Sequence, residues 1–193
     1  MASNNREIEI KFKIQNPQQI REKISKEGKL VGKAFEKTIR FDTQTKSLES
    51  SGKFLRVRSG FSNTITFKRK VENKEFRERE ELELEISDLE KMRQIIKNLG
   101  FDKELIMDKY REKWNFKDVE IVIDTLPMGT YIEIEGNEQS IKETAKTIGL
   151  NLENKILETY WEIWKDFAKE NKIQSENITF EAIKKTNYKD AGT

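Results

Sequence analysis

Ten charged residues in this 193-residue chain stand at spacings that could do chemistry. Carboxylates fall in two pairs, Glu7-x-Glu9 and Glu133-x-Glu135, and cations fall at Lys11, Arg56-x-Arg58, Lys68 and Lys109-x-Arg111. In a β-strand, residues two apart point to the same face, so each pair presents its charges together. Carboxylates are hard oxygen donors suited to Mg²⁺ or Mn²⁺. Arginine forks grip phosphate oxygens bidentately, and lysines act on them as point charges. Such a set can hold a polyanion together with its metal ions. A triphosphate with bound metal fits both signs, and no protein nucleophile is required.

The composition removes the usual competitors. There are no cysteines and no histidines, which excludes disulfides, thiolate or imidazole metal sites, and Cys- or His-based catalysis. Lys and Arg number 37 against 35 Asp and Glu, so the near-cancelling charge gives no basic surplus for a nucleic-acid surface. No apolar run is long enough for a membrane span and no signal-peptide pattern opens the chain, so a cytoplasmic protein is expected.

The elements that would position these charges are short and alternating. In Glu7 to Ile14, the residues Glu7, Glu9, Lys11 and Lys13 share one face and Ile8, Ile10, Phe12 and Ile14 the other. Similar stretches follow near 35–42, 53–59, 64–71, 79–86, 104–115, 118–125 and 130–135, with a hairpin turn at Gly60-Phe61-Ser62-Asn63. Polar faces collect Arg56 with Arg58, Thr66 with Lys68, Arg79 with Glu81, Glu83 and Glu85, Lys109 with Arg111, Glu120 with Asp124, and Tyr131 with Glu133 and Glu135. Helices are expected at about 17–27 behind Asn16-Pro17, after a capping box Ser87 to Glu90, from a second box Ser140 to Glu143, and over 153–169. Leu89, Met92, Ile95, Ile96 and Leu99 would form the apolar side of the second helix. Trp161, Trp164 and Phe167, at helical spacing, are expected to pack in the core, and Tyr131 either packs or faces a nucleotide. Residues 1–6 read as a disordered lead-in, 1–170 as one domain, and 171–193 as a tail with solvated lysines or an extra strand.

The fold class expected is α+β: an eight-stranded antiparallel sheet closed into a barrel with helices packed outside. The competing picture is an open sheet with a solvated charged face. A closed barrel lined with charge needs a charged ligand to offset desolvation.

With these positions in hand, the chain resembles the CYTH superfamily, the triphosphate tunnel metalloenzymes, over roughly residues 6–165. The resemblance rests on Glu7-x-Glu9-x-Lys11, Phe54-Leu55-Arg56-Val57-Arg58, Thr66-Phe67-Lys68, Lys109-Tyr110-Arg111 and the segment Asp124 to Gly136. It implies an eight-stranded tunnel holding a triphosphate and two divalent metals, Mg²⁺ or Mn²⁺. It implies Glu7, Glu9, Glu133 and Glu135 as metal ligands, and Lys11, Arg56, Arg58, Lys68, Lys109 and Arg111 as phosphate-binding residues. Lys11 and Asp124 fall on active-site positions of the family, and Glu81 or Glu83, with Glu83 as the catalytic candidate, would orient a lysine or the attacking group. The look is closest to the class IV adenylyl cyclase branch, implying conversion of ATP to cyclic AMP and pyrophosphate. Asn5-Arg6-Glu7 lacks the His-Phe pair that precedes this motif in the better-defined cyclases. The alternatives are therefore a triphosphatase acting on inorganic triphosphate, thiamine triphosphate or a nucleotide, and a module that binds nucleotide or polyphosphate without turnover. A homodimer is expected by analogy alone.

Overall fold

The computed structural model describes residues 6–73 and 75–184. Eight strands make up its framework: β1 (Arg6–Lys13), β2 (Gly28–Asp42), β3 (Lys53–Ser59), β4 (Thr64–Val71), β5 (Arg77–Glu85), β6 (Lys103–Phe116), β7 (Val119–Leu126) and β8 (Gly129–Glu135). They close in the order β1-β5-β4-β3-β2-β6-β7-β8, every neighbouring pair antiparallel. Closure leaves no unpaired strand edge. The helices are α1 (Pro17–Ile24), α2 (Ser47–Ser50), α3 (Leu89–Asn98), α4 (Glu138–Thr147), α5 (Tyr160–Glu170) and α6 (Phe180–Lys184).

Two of the three core clusters lie outside the barrel wall, and the third, under α5, lies on the lumen side. Strand alternation sends Ile10, Phe12, Ile121, Ile123, Ile132 and Ile134 outward, where they pack with Ile20 and Ile24 of α1 and Ile141, Ala145 and Ile148 of the α4 region. A second cluster places Ile96 of α3 on Ile39, Phe41 and Val57. A third gathers Met107, Leu126, Met128 and Tyr131 under Tyr160, Trp164 and Ala168 of α5. With their apolar faces spent on the helices, the strands turn their charged faces to the lumen.

Helix boundaries moved where a nearer side chain could satisfy the first free N–H groups. Asp88, rather than Ser87, caps α3 by accepting from the Lys91 N–H. Asn137 caps α4 and accepts from the Ser140 N–H at 2.9 Å, so the helix starts three residues earlier than the Ser140 box predicts. The helix expected over 153–169 divides into a 3-10 turn at Leu152–Asn154 and α5, because Ile156 pairs with Lys11 of β1 and a reciprocal Thr159–Glu162 capping box starts the helix afresh. On α3 the buried stripe is narrower than its apolar pattern, since Ile95 and Leu99 are exposed. Strand β2 extends well upstream of residue 35, through an irregularity in its pairing with β6 between Leu30 and Gly32.

Beyond residue 170, Ile178 is fully buried and bonds to both sides of Met107, donating to the Ile106 carbonyl and accepting from the Asp108 N–H, each at 2.8 Å. Strand β1 starts at Arg6; the remainder of the lead-in and the tail lysines from Lys185 onward lie outside the described residues. No helix among the described residues is long and apolar enough to cross a membrane.

Ile134 is completely buried between the barrel wall and α4. Ile134→Ala is expected to lower stability by about 2–5 kcal/mol through lost transfer energy and the cavity left behind, as measured by urea unfolding.

Candidate functional site

The lumen is a cavity of about 920 Å³ whose lining is mostly charged. That size suits a drug-sized or nucleotide-sized ligand. All four of the paired carboxylates line it, together with Arg56, Arg58, Lys68, Lys109, Arg111 and Glu83. Lys11 and Asp124 stand behind this surface, almost entirely buried.

The two signs occupy opposite walls. Registration puts Glu9 opposite Glu135 and Glu135 opposite Glu120, so three inward carboxylates sit side by side across β1, β8 and β7. Like charges directly opposed repel; Arg77 pairs with Glu9 and Lys113 reaches Glu120 at 2.5 Å, so among the described residues Glu135 is the member of the row without an ion pair. Burial, then Glu7 and Glu120, push the Glu135 carboxyl up to about 8. On β2 and β3, which lie across the ring, Arg40 is registered with Arg56. Burial and the neighbouring Arg58 lower the Arg56 guanidinium from its ordinary value. An acidic arc therefore faces a cationic arc; Glu49 partners Arg40 and Glu83 is shared between Arg56 and Arg58, while Glu135 has no ion pair among the described residues.

Between them lies a knot that is already neutralised. Asp124 accepts from Arg111 Nε at 2.7 Å, Arg111 Nη2 at 2.5 Å, Lys109 Nζ at 3.0 Å and the Tyr160 hydroxyl at 3.1 Å. Arg111 also reaches Glu133 at 2.9 Å, and Lys11 reaches the same carboxylate at 3.3 Å. Burial alone would raise Glu133, but Lys11 and Arg111 hold it well below the usual carboxylate range. The Asp124 carboxyl is likewise lowered against its burial, by Arg111 and Lys109.

Glu7 pairs with Lys68, and Lys68 also binds Glu81 at 2.6 Å. Glu83 accepts from the Thr66 hydroxyl at 2.7 Å and from Arg58 at 3.3 Å, while Thr66 accepts from Arg56 Nε at 3.1 Å. Of the two carboxylates considered on β5, Glu81 thus orients a lysine and Glu83 orients the arginine pair. Tyr131 sits in the core edge-on to Tyr160, which is packing. Trp164 is buried, whereas the half-buried Trp161 both touches that core and lines the lumen.

The lumen also recruits residues that pairwise spacing did not single out. Glu36 of β2 is buried with Lys109 at 3.4 Å and Arg111 at 3.6 Å, and its Oε2 has no hydrogen-bond partner. Its room depends on Gly60, where a Cβ would stand 2.6 Å from the Glu36 Cγ. Arg77 pairs with Glu9, and Arg79 lines the wall beside it. Period-2 alternation through Glu36-Thr38-Arg40 and back from Glu81 to Arg77 carried this signal. Tyr160 has none, since it arrives from a helix.

The oxygen donor set fits a hard divalent cation, because the crowded row at Glu9, Glu135 and Glu120 has more acid than its partners neutralise. Among the described residues no group of three or more acidic side chains already converges into a metal cage. Glu7 and Glu9 are instead drawn to Lys68 and Arg77.

A closed antiparallel barrel with opposed acidic and cationic walls defines a tunnel protein for a polyanion and its cations. Comparison with known proteins agrees: the CYTH domain profile matches residues 5–160, and the chain belongs to that family. A Methanocaldococcus jannaschii protein provisionally named an adenylate cyclase is 32% identical over 182 residues, 92% of this chain and 99% of that one. A solved Pyrococcus horikoshii structure superposes with TM-score 0.69 at 27% identity, covering 80% of this chain and 96% of its own. A Hippeastrum protein matches in fold at TM-score 0.59 and 17% identity, over 83% of this chain and 96% of that one.

Glu135 supplies a pH test. Its carboxyl is raised from 4.5 to about 8, so the folded chain holds a proton there that the unfolded chain releases. Its contribution to stability is therefore present at low pH and is lost as pH rises from about 4.5 to about 8. Metal-free protein should lose stability across that window in thermal melts, and Glu135→Gln should flatten the loss. Adding Mn²⁺ at pH 7 should release about one proton per chain into weak buffer, with little release from Glu135→Gln.

Proposed function

We propose that the chain is a metal-dependent enzyme that cleaves triphosphates, holding the phosphate chain along the cationic wall and divalent ions against the acidic one. The observation that carries this is the opposition of the two arcs, Glu9-Glu135-Glu120 against Arg40-Arg56-Arg58, around a lumen dense in charge. A wall of this kind recognises the phosphates themselves and asks little of the group attached to them. For that reason hydrolysis is the leading reading: water attacks the terminal phosphorus, the bridging P–O bond breaks, and the shortened phosphate chain leaves with its electron pair. The Hippeastrum protein, described as having a dominant triphosphatase activity despite a provisional cyclase name, supports the same direction.

The residues divide the work. Arg56, Arg58, Lys68, Lys109 and Arg111 bind phosphate oxygens and offset the charge that develops on them. Glu83 and Thr66 hold the two β3 arginines in one orientation, and Asp124 does so for Arg111 and Lys109. Glu7, Glu9, Glu133 and Glu135 would hold the divalent ions. Such ions, when bound, polarise phosphoryl oxygens and neutralise their charge. Lys11 keeps Glu133 ionised from behind the lumen surface.

The second reading is cyclisation of ATP, in which the ribose 3′-hydroxyl attacks the α-phosphorus and pyrophosphate leaves. It is favoured by the provisional name of the Methanocaldococcus jannaschii relative and by the cyclase-like segment Asp124 to Gly136. One product analysis separates the two. Inorganic triphosphate, ATP and thiamine triphosphate, each incubated with Mg²⁺ or Mn²⁺, should yield orthophosphate. Cyclic AMP with pyrophosphate from ATP would establish the cyclase reading instead, and binding without any product would leave only a carrier of polyphosphates.

Two substitutions probe the assignment. Glu9→Gln should abolish metal-dependent turnover while circular dichroism stays unchanged, and near-normal activity at low metal would remove Glu9 from the ligand set. Arg56→Ala should raise the KM for inorganic triphosphate about tenfold or more, the loss of one charge-assisted fork.

A further inference from the structure

The first turn of α5 reaches three strands of the barrel. Ile156, just upstream, pairs with Lys11 of β1, the Glu158 carbonyl accepts from Lys11 Nζ at 3.0 Å, and Tyr160 bonds to Asp124 of β7. Glu162 is lowered, against its partial burial, by its own capping contacts with Thr159 and by Arg77 and Arg79 of β5. Thr159, Tyr160, Trp161 and Glu162 all contribute to the lumen wall.

Tyr160 is the centre of this contact. Lys11 Nζ stands 4.2 Å from the centre of its ring and Lys109 Nζ 5.7 Å, both within the range of a cation–π attraction. Its hydroxyl donates to Asp124 at 3.1 Å, and burial, reinforced by Asp124 and Glu133, keeps that hydroxyl protonated and hence a donor. Two chains of contact start from this one side chain and end in the lumen. The hydroxyl reaches Asp124 and through it Arg111 and Lys109; the ring reaches Lys11 and through it Glu133.

We propose that Tyr160 is a positioning residue with two effects that differ in weight: its hydroxyl acts through Asp124 chiefly on the phosphate-binding pair Arg111 and Lys109, and its ring acts through Lys11 chiefly on the metal-facing carboxylate Glu133. The inference rests on the triphosphate reading of the lumen. Lysine is the side chain that most needs such support, because its flexible stem carries a high ordering cost and its ammonium has no preferred plane. A ring face and a carboxylate on two sides restrict it where a single ion pair would not.

Tyr160→Phe removes the hydroxyl and keeps the ring, whereas Tyr160→Leu removes both. Binding is measured directly on the full chain: inorganic triphosphate by calorimetry, and Mn²⁺ by loss of its free-ion paramagnetic resonance signal. The Phe variant should bind triphosphate about tenfold more weakly and take up Mn²⁺ as the wild type does. The Leu variant should be weakened toward both ligands. Circular dichroism and thermal melts establish that each variant is folded at the temperature used, and the Phe variant alone decides the hydroxyl effect should the Leu variant not fold. Folded variants that bind both ligands like the wild type would overturn the proposal, as would a Phe variant that loses Mn²⁺ as severely as triphosphate. Wild-type protein that binds neither ligand would refute the triphosphate reading itself, a result visible before any substitution is made.

Discussion

Placing many ionised side chains inside a barrel only about eight strands around is expensive, and this constraint shapes everything else in the molecule. Small barrels ordinarily fill with apolar side chains. Here the apolar faces point outward under α1, α3 and α4, an apolar cluster under α5 fills one part of the inner side, and the rest of the interior is held together by paired charge. The knot of Asp124, Lys109, Arg111, Glu133 and Lys11 shows how the cost is met: each buried ion touches at least one opposite ion within hydrogen-bonding or ion-pair distance. Breaking one such pair strands a charge in a region of low dielectric, so the members hold one another in place. Asp124, with no exposed surface at all, is tolerable only because two cations and a phenol converge on it.

Pairing does not extend evenly around the ring. Strand order sets β3 across from β8, and at those two places the charges are unbalanced in opposite senses. Glu135 responds by retaining a proton near neutrality, and Arg56 by a lowered guanidinium. Had the interior evolved for rigidity alone, alternating signs from strand to strand would have neutralised both walls. Leaving Glu135 beside two other carboxylates and Arg40 beside Arg56 makes the barrel less stable than full neutralisation would, and on the proposed reading ligands that supplied opposite charge would recover that energy.

Much of this was legible in the sequence, because alternation is local. Glu7-x-Glu9-x-Lys11 and Glu133-x-Glu135 each declare a charged face and an apolar face without reference to any other residue, and counting such segments yields eight strands, while their closure rests on the cost of a charged face and on the family resemblance. The lumen contributions of Glu36 and Arg77 are equally local, but Glu36 has no like-charged residue two positions away and Arg77 precedes the strand expected to start at 79. Other features depend on the assembled fold. That Lys11 points at Glu133 but has almost no exposed surface is decided by Ile156 and Glu158 closing over it. Helix starts at Asp88, Asn137 and Thr159 were settled by competition among neighbouring capping groups, which a pattern of apolar residues does not resolve. Ile95 and Leu99 carry the right period for burial, yet α3 rests on the barrel along Ile96 instead, and no pattern within the helix announces that choice.

The unequal walls also bear on the order in which ligands load. A polyanion entering alone would meet the arc of Arg40, Arg56 and Arg58 but would bring its own negative charge toward Glu135, whose proton is already held there by burial and by repulsion from Glu7 and Glu120. A divalent cation entering alone would displace that proton and compete with Lys68 and Arg77 for Glu7 and Glu9, leaving Arg77 without its carboxylate and Lys68 with Glu81 alone. Each ligand thus creates the condition the other needs, and Lys68 and Arg77, once released from Glu7 and Glu9, become free to meet phosphate. Coupling of this kind follows from charge conservation within a confined space and requires no movement of the barrel itself. On the proposed reading it would make the joint binding of metal and polyphosphate more favourable than the sum of the two separate events, which is what a reciprocal coupling free energy means.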